Sequence, residues 1–256
     1  MQAFLNMIYN KSYCGLNVKR VNKIIIIMIV ILCALVVNLV YKKEKTPGEK
    51  EIAQVANLNI TNMKDTVPKV AITFDDGPSN SYTKKLLKGL KKRDVKATFF
   101  LTGERIQYSK KLVKRMHRDG HIIGNHTYSH VDLAKTDYNE AKKEIENTNK
   151  CIKEVTGEAP KYLRPPYGDW DENLLKETNM SIVLWSVDPE DWKDQNADVV
   201  ANRVIKNTEP GDIILLHDIF KTSVEAAFKI IDALQEKGYH FVTIDKLDSS
   251  KIIINE

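Results

Sequence analysis

The residues best equipped for chemistry fall in five short clusters. Asp75 and Asp76 stand side by side in Thr73-Phe74-Asp75-Asp76-Gly77-Pro78. Adjacent carboxylates repel, which costs stability unless a cation or a base function uses one of them. Taken alone, the pair fits a solvated Asp-Gly turn better. His126 and His130 bracket His126-Thr127-Tyr128-Ser129-His130. Two imidazoles four apart can face one cation if the chain makes a helical turn between them, and the spacing alone fits two unrelated surface histidines equally well. In Arg164-Pro165-Pro166-Tyr167 two prolines fix the backbone, so a guanidinium and a peptide N–H can be held rigidly. Asp188-Pro189-Glu190-Asp191-Trp192 sets an acid beside an aromatic wall, and Ile214-Leu215-Leu216-His217-Asp218 ends an apolar run with a histidine. Each of these alone is weak, since a lone histidine after an apolar run is more often a satisfied core residue than a catalyst. His117 and His121 share the four-residue spacing, but Gly120 breaks the helix between them and Arg118 adds positive charge. Those two and His240 carry no predicted role.

The elements that must position these clusters follow from hydrophobic periodicity. Short apolar runs predict strands at 70–74, 97–101, 121–124, 162–164, 182–187, 213–216 and 241–244. Amphipathic stretches at 81–92, 107–118, 138–155, 172–177, 197–206 and 224–237 predict helices, with Gly157 capping the third. Strands alternating with helices predict a parallel sheet, and about seven units point to a closed or nearly closed (β/α) barrel rather than a doubly wound sheet. Every cluster sits at the C-terminal end of a strand, the rim on which such barrels build their active sites.

In this order and at successive strand ends, TFDDGP, HTYSH, RPPY, DPEDW and ILLHD resemble the five motifs of the polysaccharide deacetylase family, the NodB homology domain or carbohydrate esterase family 4. The resemblance covers about Val67 to Leu247 and implies a distorted (β/α) barrel of about seven parallel strands. It implies a catalytic base at Asp75 and a metal triad of Asp76, His126 and His130. It further implies that Arg164 holds Asp75, that the Tyr167 N–H helps stabilise an oxyanion, and that His217, oriented by Asp191, is the general acid. Trp192, Ile214 and Leu216 correspond to the walls that receive an acetyl methyl, with Ile214 standing where leucine is usual. The implied cofactor is one divalent ion, zinc first, with cobalt, nickel or manganese also compatible with the donor set. The implied reaction removes acetyl groups from an N-acetylated polysaccharide, peptidoglycan first, with chitin-like oligosaccharide or exopolysaccharide as alternatives. Two other classes compete: a non-catalytic glycan-binding module, against which the intact motifs argue, and a non-haem iron oxygenase built on two histidines and a carboxylate, against which the second acid at Asp75 argues.

Charge and composition bound the rest. The 256 residues carry +5 overall, of which residues 1–50 hold +6, leaving −1 for the remainder. The globular part therefore lacks the basic face that a nucleic-acid partner would need. Its single cysteine, Cys151, excludes an internal disulfide there and reads as a small apolar helix residue. Residues 24–41 are almost wholly apolar and long enough as a helix, about 27 Å, to approach a hydrocarbon core of about 30 Å. They predict one uncleaved transmembrane anchor, preceded by a short cytoplasmic segment, 1–23, and followed by a linker, 42–66, and a catalytic domain, 67–250. Lysines and arginines flank the span almost equally, so charge does not set its orientation. The extracellular placement of the domain follows from the implied substrate.

Overall fold

The computed structural model describes residues 26–33, 35–36, 67–247 and 252–253. Contacts divide the chain between Asp65 and Thr66. In the second unit, β1 (Lys69–Asp75), α1 (Tyr82–Lys92) and β2 (Thr98–Leu101) come first. After α2 (Gly103–Tyr108) and α3 (Lys110–Arg118) come β3 (Ile122–Asn125), α4 (Tyr138–Thr156) and β4 (Tyr162–Leu163). The chain continues through α5 (Glu172–Lys176), β5 (Ser181–Val183), α6 (Ala197–Asn207), β6 (Ile213–His217), α7 (Lys221–Glu236), β7 (His240–Val242) and β8 (Ile252–Ile253).

The sheet runs β6-β1-β2-β3-β4-β5-β8, and β7 pairs with the start of β1. Pairings among β1 to β7 are parallel, while β8 lies antiparallel to β5. The result is a curled half-barrel. The predicted strand 182–187 departs from this: regular pairing ends at Val183, and Val187 crosses to form a bridge with Ile214 of β6. The carbonyls of Val183 and Leu184 instead accept hydrogen bonds from Arg164, which draws this stretch inward. The predicted helix 107–118 is two helices, broken at Ser109 (φ −134°), whose hydroxyl donates to Asn80 Oδ1 at 2.9 Å.

Strand burial explains the layering. β1 is buried from Val70 to Asp75, as a central parallel strand covered on both faces must be. Its Ile72 and Phe74 join Phe99, Leu101, Ile214 and Leu216 in a core shared with the apolar stripes of the helices, including Leu86 and Leu90 of α1 and Ile230 and Leu234 of α7. The opposite strand faces contribute Ala71, Phe100, Val183 and Ile213 to the interior of the curl. α4 starts on Asp137, which caps Asn139 and Glu140 N–H groups, and ends at Gly157 with φ +87°, the left-handed position that favours glycine. Cys151 is buried in the outer core.

Part of the predicted anchor (24–25, 34 and 37–41) and all of the residues assigned to its flanks, 1–23 and 42–66, lie outside the described residues. Residues 26–33 and 35–36 are helical. Among the described residues, no helix is long and apolar enough to cross a membrane.

Candidate metal centre and active site

Register brings the chemistry together. Asp75 of β1 is level with His217 of β6, and the chain leaves β1, β3 and β4 at the same rim to present Asp76, His126 and Arg164. Asp76 Oδ1 lies 3.4 Å from His126 Nε2 and 3.2 Å from His130 Nε2, and one donor atom from each residue falls within 4.8 Å of the others. The two imidazoles do not meet through a helical turn, as their spacing suggested. Thr127 (φ +60°) and His130 (φ +61°) are left-handed instead, and the rings pack edge to face at 4.9 Å between centroids.

Such backbone conformations are costly for residues with a Cβ and persist only where neighbours over-determine them. Asp76 (φ +68°), Tyr167 (φ +62°) and Glu190 (φ +52°) share the condition, so every rim cluster except that of β6 contains one. The histidine loop is supported from Asn125 and from α4. Asn125 Oδ1 accepts from Thr127 N–H at 2.7 Å, while the Asn125 amide donates to Ile145 O and Asn149 Oδ1. Glu144 of α4 accepts from the N–H groups of Tyr128 and Ser129 and from the Ser129 hydroxyl, at 2.7 to 2.9 Å. Sequence reasoning missed both residues, since a glutamate on an amphipathic helix carries no signal of its loop partner.

Donor chemistry fits a cation. His126 Nδ1 lies 2.7 Å from Arg164 O. A carbonyl can only accept, so Nδ1 carries the proton and a neutral ring keeps its Nε2 lone pair for a ligand. Asp76 Oδ1 is buried with no hydrogen-bond partner, an uncompensated position that a cation between it and the imidazoles would relieve. Burial opposes ionisation of Asp76, but the nearby imidazoles of His126, His130 and His217 bring its pKa down to about 2. Burial, followed by the charge of His126, holds His130 below the usual imidazole range, favouring the neutral form that ligates. A cavity of about 270 Å³ adjoins this cluster, lined by Asp76, Thr102, Glu104, Arg105, Ser129 and His130.

Arg164 is fully buried. It donates to Asp75 Oδ1 at 2.8 Å, Thr73 Oγ1 at 2.7 Å, and the carbonyls of Val183 and Leu184 at 3.0 Å, with its guanidinium 4.2 Å from the Phe100 ring centroid. Asp75 is thereby pinned with its other oxygen 3.8 Å from His126 Nε2. Asp191, also fully buried, accepts from both the backbone N–H and Nδ1 of His217, at 2.9 and 2.7 Å. Burial alone would lower the His217 pKa, but the hydrogen bond and charge of Asp191, with Asp75 and Asp76 behind them, lift it to about 9.

That shift makes a prediction about stability. The folded-state value lies above the ordinary 6.5, so the protonated imidazole stabilises the fold fully below pH 6.5, and the contribution disappears as pH rises through about 9. Urea midpoints of the metal-free protein are expected to fall across that window, by at most about 3 kcal/mol in free energy. Asp191→Asn should flatten the slope. An unchanged slope in that variant would contradict the assignment of its cause.

Tyr167 and Trp192 stand exposed at the rim, and the Tyr167 ring packs 5.0 Å from His130. Ile214 and Leu216 do not join them. Both are fully buried in the outer core against the helices, because alternate residues of a strand face opposite ways. The His217 face of β6 presents Leu215 instead, level with Thr73. Counting two residues back from His217 identifies that position from sequence. His121 accepts from Ala97 N–H and packs on Phe99, a structural role, and His117 and His240 are exposed away from the rim clusters.

Comparison with known proteins agrees with this geometry. Residues 62–181 match the family model described as polysaccharide deacetylase. A peptidoglycan-N-acetylglucosamine deacetylase of Bacillus cereus is 47% identical over 186 residues, 70% of this chain and 68% of that protein. Peptidoglycan-N-acetylmuramic acid deacetylase PdaC of Bacillus subtilis is 40% identical over 82% of this chain. The match spans only 45% of that longer relative. A solved structure of peptidoglycan deacetylase PdaC from Bacillus subtilis superimposes with a TM-score of 0.70 at 41% identity, covering 72% of this chain and 91% of that one.

Proposed function

The chain belongs to the polysaccharide deacetylase family, and from that premise we propose that it removes acetyl groups from the N-acetylated sugars of peptidoglycan with the aid of one divalent cation. The observation that carries the reading is the buried, unpartnered Asp76 Oδ1 facing two imidazole Nε2 atoms, one residue from a second acid clamped by a buried arginine. Relatives that act on peptidoglycan supply the substrate class.

Asp76, His126 and His130 would hold the ion, zinc first among the candidates. When bound, such an ion acidifies water and polarises the acetamide oxygen. Asp75, held by Arg164, accepts the proton that water gives up as its oxygen attacks the acetyl carbon. The Tyr167 N–H donates to the oxygen on which negative charge develops. His217, protonated at neutral pH and oriented by Asp191, gives its proton to the departing nitrogen as the C–N bond breaks. Acetate and a free amino sugar result. Leu215 and Trp192 supply the apolar contact for the acetyl methyl, Leu215 replacing Ile214 and Leu216 in that role.

We place the domain outside the cell on an anchor at 24–41, because peptidoglycan lies there and the described side chains of 26–33 and 35–36 are exposed and almost all apolar. Recovery of the protein in the soluble fraction of lysed cells would remove the anchor from this account.

Full-length protein incubated with purified peptidoglycan is expected to release acetate, to stop on addition of a chelator, and to resume with Zn²⁺ or Co²⁺. Mass spectrometry of the digested product names the sugar that lost its acetyl group. No acetate from peptidoglycan, chitin oligomers or exopolysaccharide would return the chain to the class of glycan-binding modules.

A further inference from the structure

Asp218 follows the proposed acid on β6, and its side chain reaches the start of α1. It is fully buried. Its Oδ2 accepts a hydrogen bond from Thr83 Oγ1, while Oδ1 is buried without a partner. Thr83 Oγ1 in turn accepts from Ser79 N–H at 2.7 Å. That chain of bonds ties the carboxyl to the far end of the turn that carries Asp76.

The near end meets the same carboxyl at Gly77. A Cβ on Gly77 would sit 2.2 Å from Asp218 Oδ1 and 2.5 Å from Oδ2. Gly77 is absent from the residues with positive φ, so it is a glycine for lack of room and not for backbone freedom. Asp76, immediately before it, is the residue in the left-handed region, where its Cβ carries a cost that glycine escapes. Something outside the turn must hold it in place. Burial pushes the Asp218 carboxyl up to about 7, against the pull of Thr83, as befits a group there to fill and brace. With no exposed surface it can touch no substrate.

We propose that Asp218 is a positioning residue for the metal-binding turn: by contact with Gly77 and through the Thr83–Ser79 hydrogen bonds, it holds Asp76 with Oδ1 facing His126 and His130. The inference rests on the reading of Asp76, His126 and His130 as the ligands of one cation.

The test is the affinity of the metal-free, full-length chain for Zn²⁺, measured by competition with a chromophoric chelator and without substrate. Wild type, Asp218→Ala, Asp218→Asn and Thr83→Val are compared well below their own melting temperatures. Asp218→Ala and Thr83→Val are expected to weaken binding at least about tenfold, the range seen when groups that orient metal ligands are lost. Asp218→Asn keeps the shape and an acceptor for Thr83, and it should stay within about threefold of wild type. Wild-type affinity in Asp218→Ala and Thr83→Val, even with lowered melting temperatures, would show a merely structural role and overturn the proposal. So would an Asp218→Asn defect as large as that of Asp218→Ala, or a wild-type chain that binds no Zn²⁺. Should Asp218→Ala fail to fold, Thr83→Val decides. A chain that shows the expected pattern yet releases no acetate would sink the deacetylase reading and leave this one standing.

Discussion

His126→Ala is expected to lower acetate release at least about 10³-fold and to abolish tight binding of a divalent ion. A cation that polarises the reacting carbonyl and acidifies water contributes several kcal/mol to the transition state, and about 4 kcal/mol corresponds to three orders of magnitude in rate. Removing His126 leaves Asp76 and His130 as a two-donor site on an exposed rim, since Asp75 is engaged by Arg164 at 2.8 Å. Asp76→Ala should behave the same way. Asp75→Asn should differ in kind: metal affinity is kept, and the rate falls by about 10² to 10⁴ through loss of the base. Equilibrium dialysis against Zn²⁺ beside an acetate assay separates the two acids. If His126→Ala retained a tenth of the wild-type rate, the division of labour assigned to this site would be wrong.

The second large effect falls on stability. Arg164→Met removes four hydrogen bonds from one fully buried side chain and leaves the buried Asp75 without its counter-charge. Breaking a buried pair from one side costs about 3–5 kcal/mol. For a unit of this size that lowers the melting temperature by roughly 10 °C or more. Arg164→Lys should rescue little, because an ammonium cannot reach Asp75, Thr73 and two carbonyls from one planar group. Calorimetry of the metal-free protein checks this. A drop under 2 °C would mean that Arg164 braces neither Asp75 nor the end of β5.

These expectations draw on both what the sequence carried and what it could not. The parallel strands were legible because the apolar runs are short, those of β1, β2 and β6 are almost wholly buried, all but the last are followed by a helical stripe, and the polar clusters fall where the runs stop. Asp75, Asp76, His126, His130, Arg164, Asp191 and His217 converge because consecutive parallel strands deliver their C-terminal ends to one rim. Ile214 and Leu216 were misplaced by ignoring the two-residue period of β6, which puts Leu215 on the His217 face. The break at Ser109 is a tertiary choice, a buried hydroxyl satisfied by Asn80, that overrides an otherwise continuous helical pattern. Left-handed Asp76, Thr127, His130, Tyr167 and Glu190 were invisible for a simple reason. None is glycine, and the hydrogen bonds that support the loops come from residues such as Glu144 and Asn149, far away in sequence. β8 was also unforeseen, because its brief antiparallel pairing with β5 leaves too few residues for a periodic signal.

Anomalous diffraction from crystals of the full-length chain grown with Zn²⁺ tests the central claim most directly. One peak per chain is expected, about 2.0–2.2 Å from Asp76 Oδ1, His126 Nε2 and His130 Nε2. Well-ordered density for all three side chains with no peak among them, or with the ion bound at another place, would contradict it.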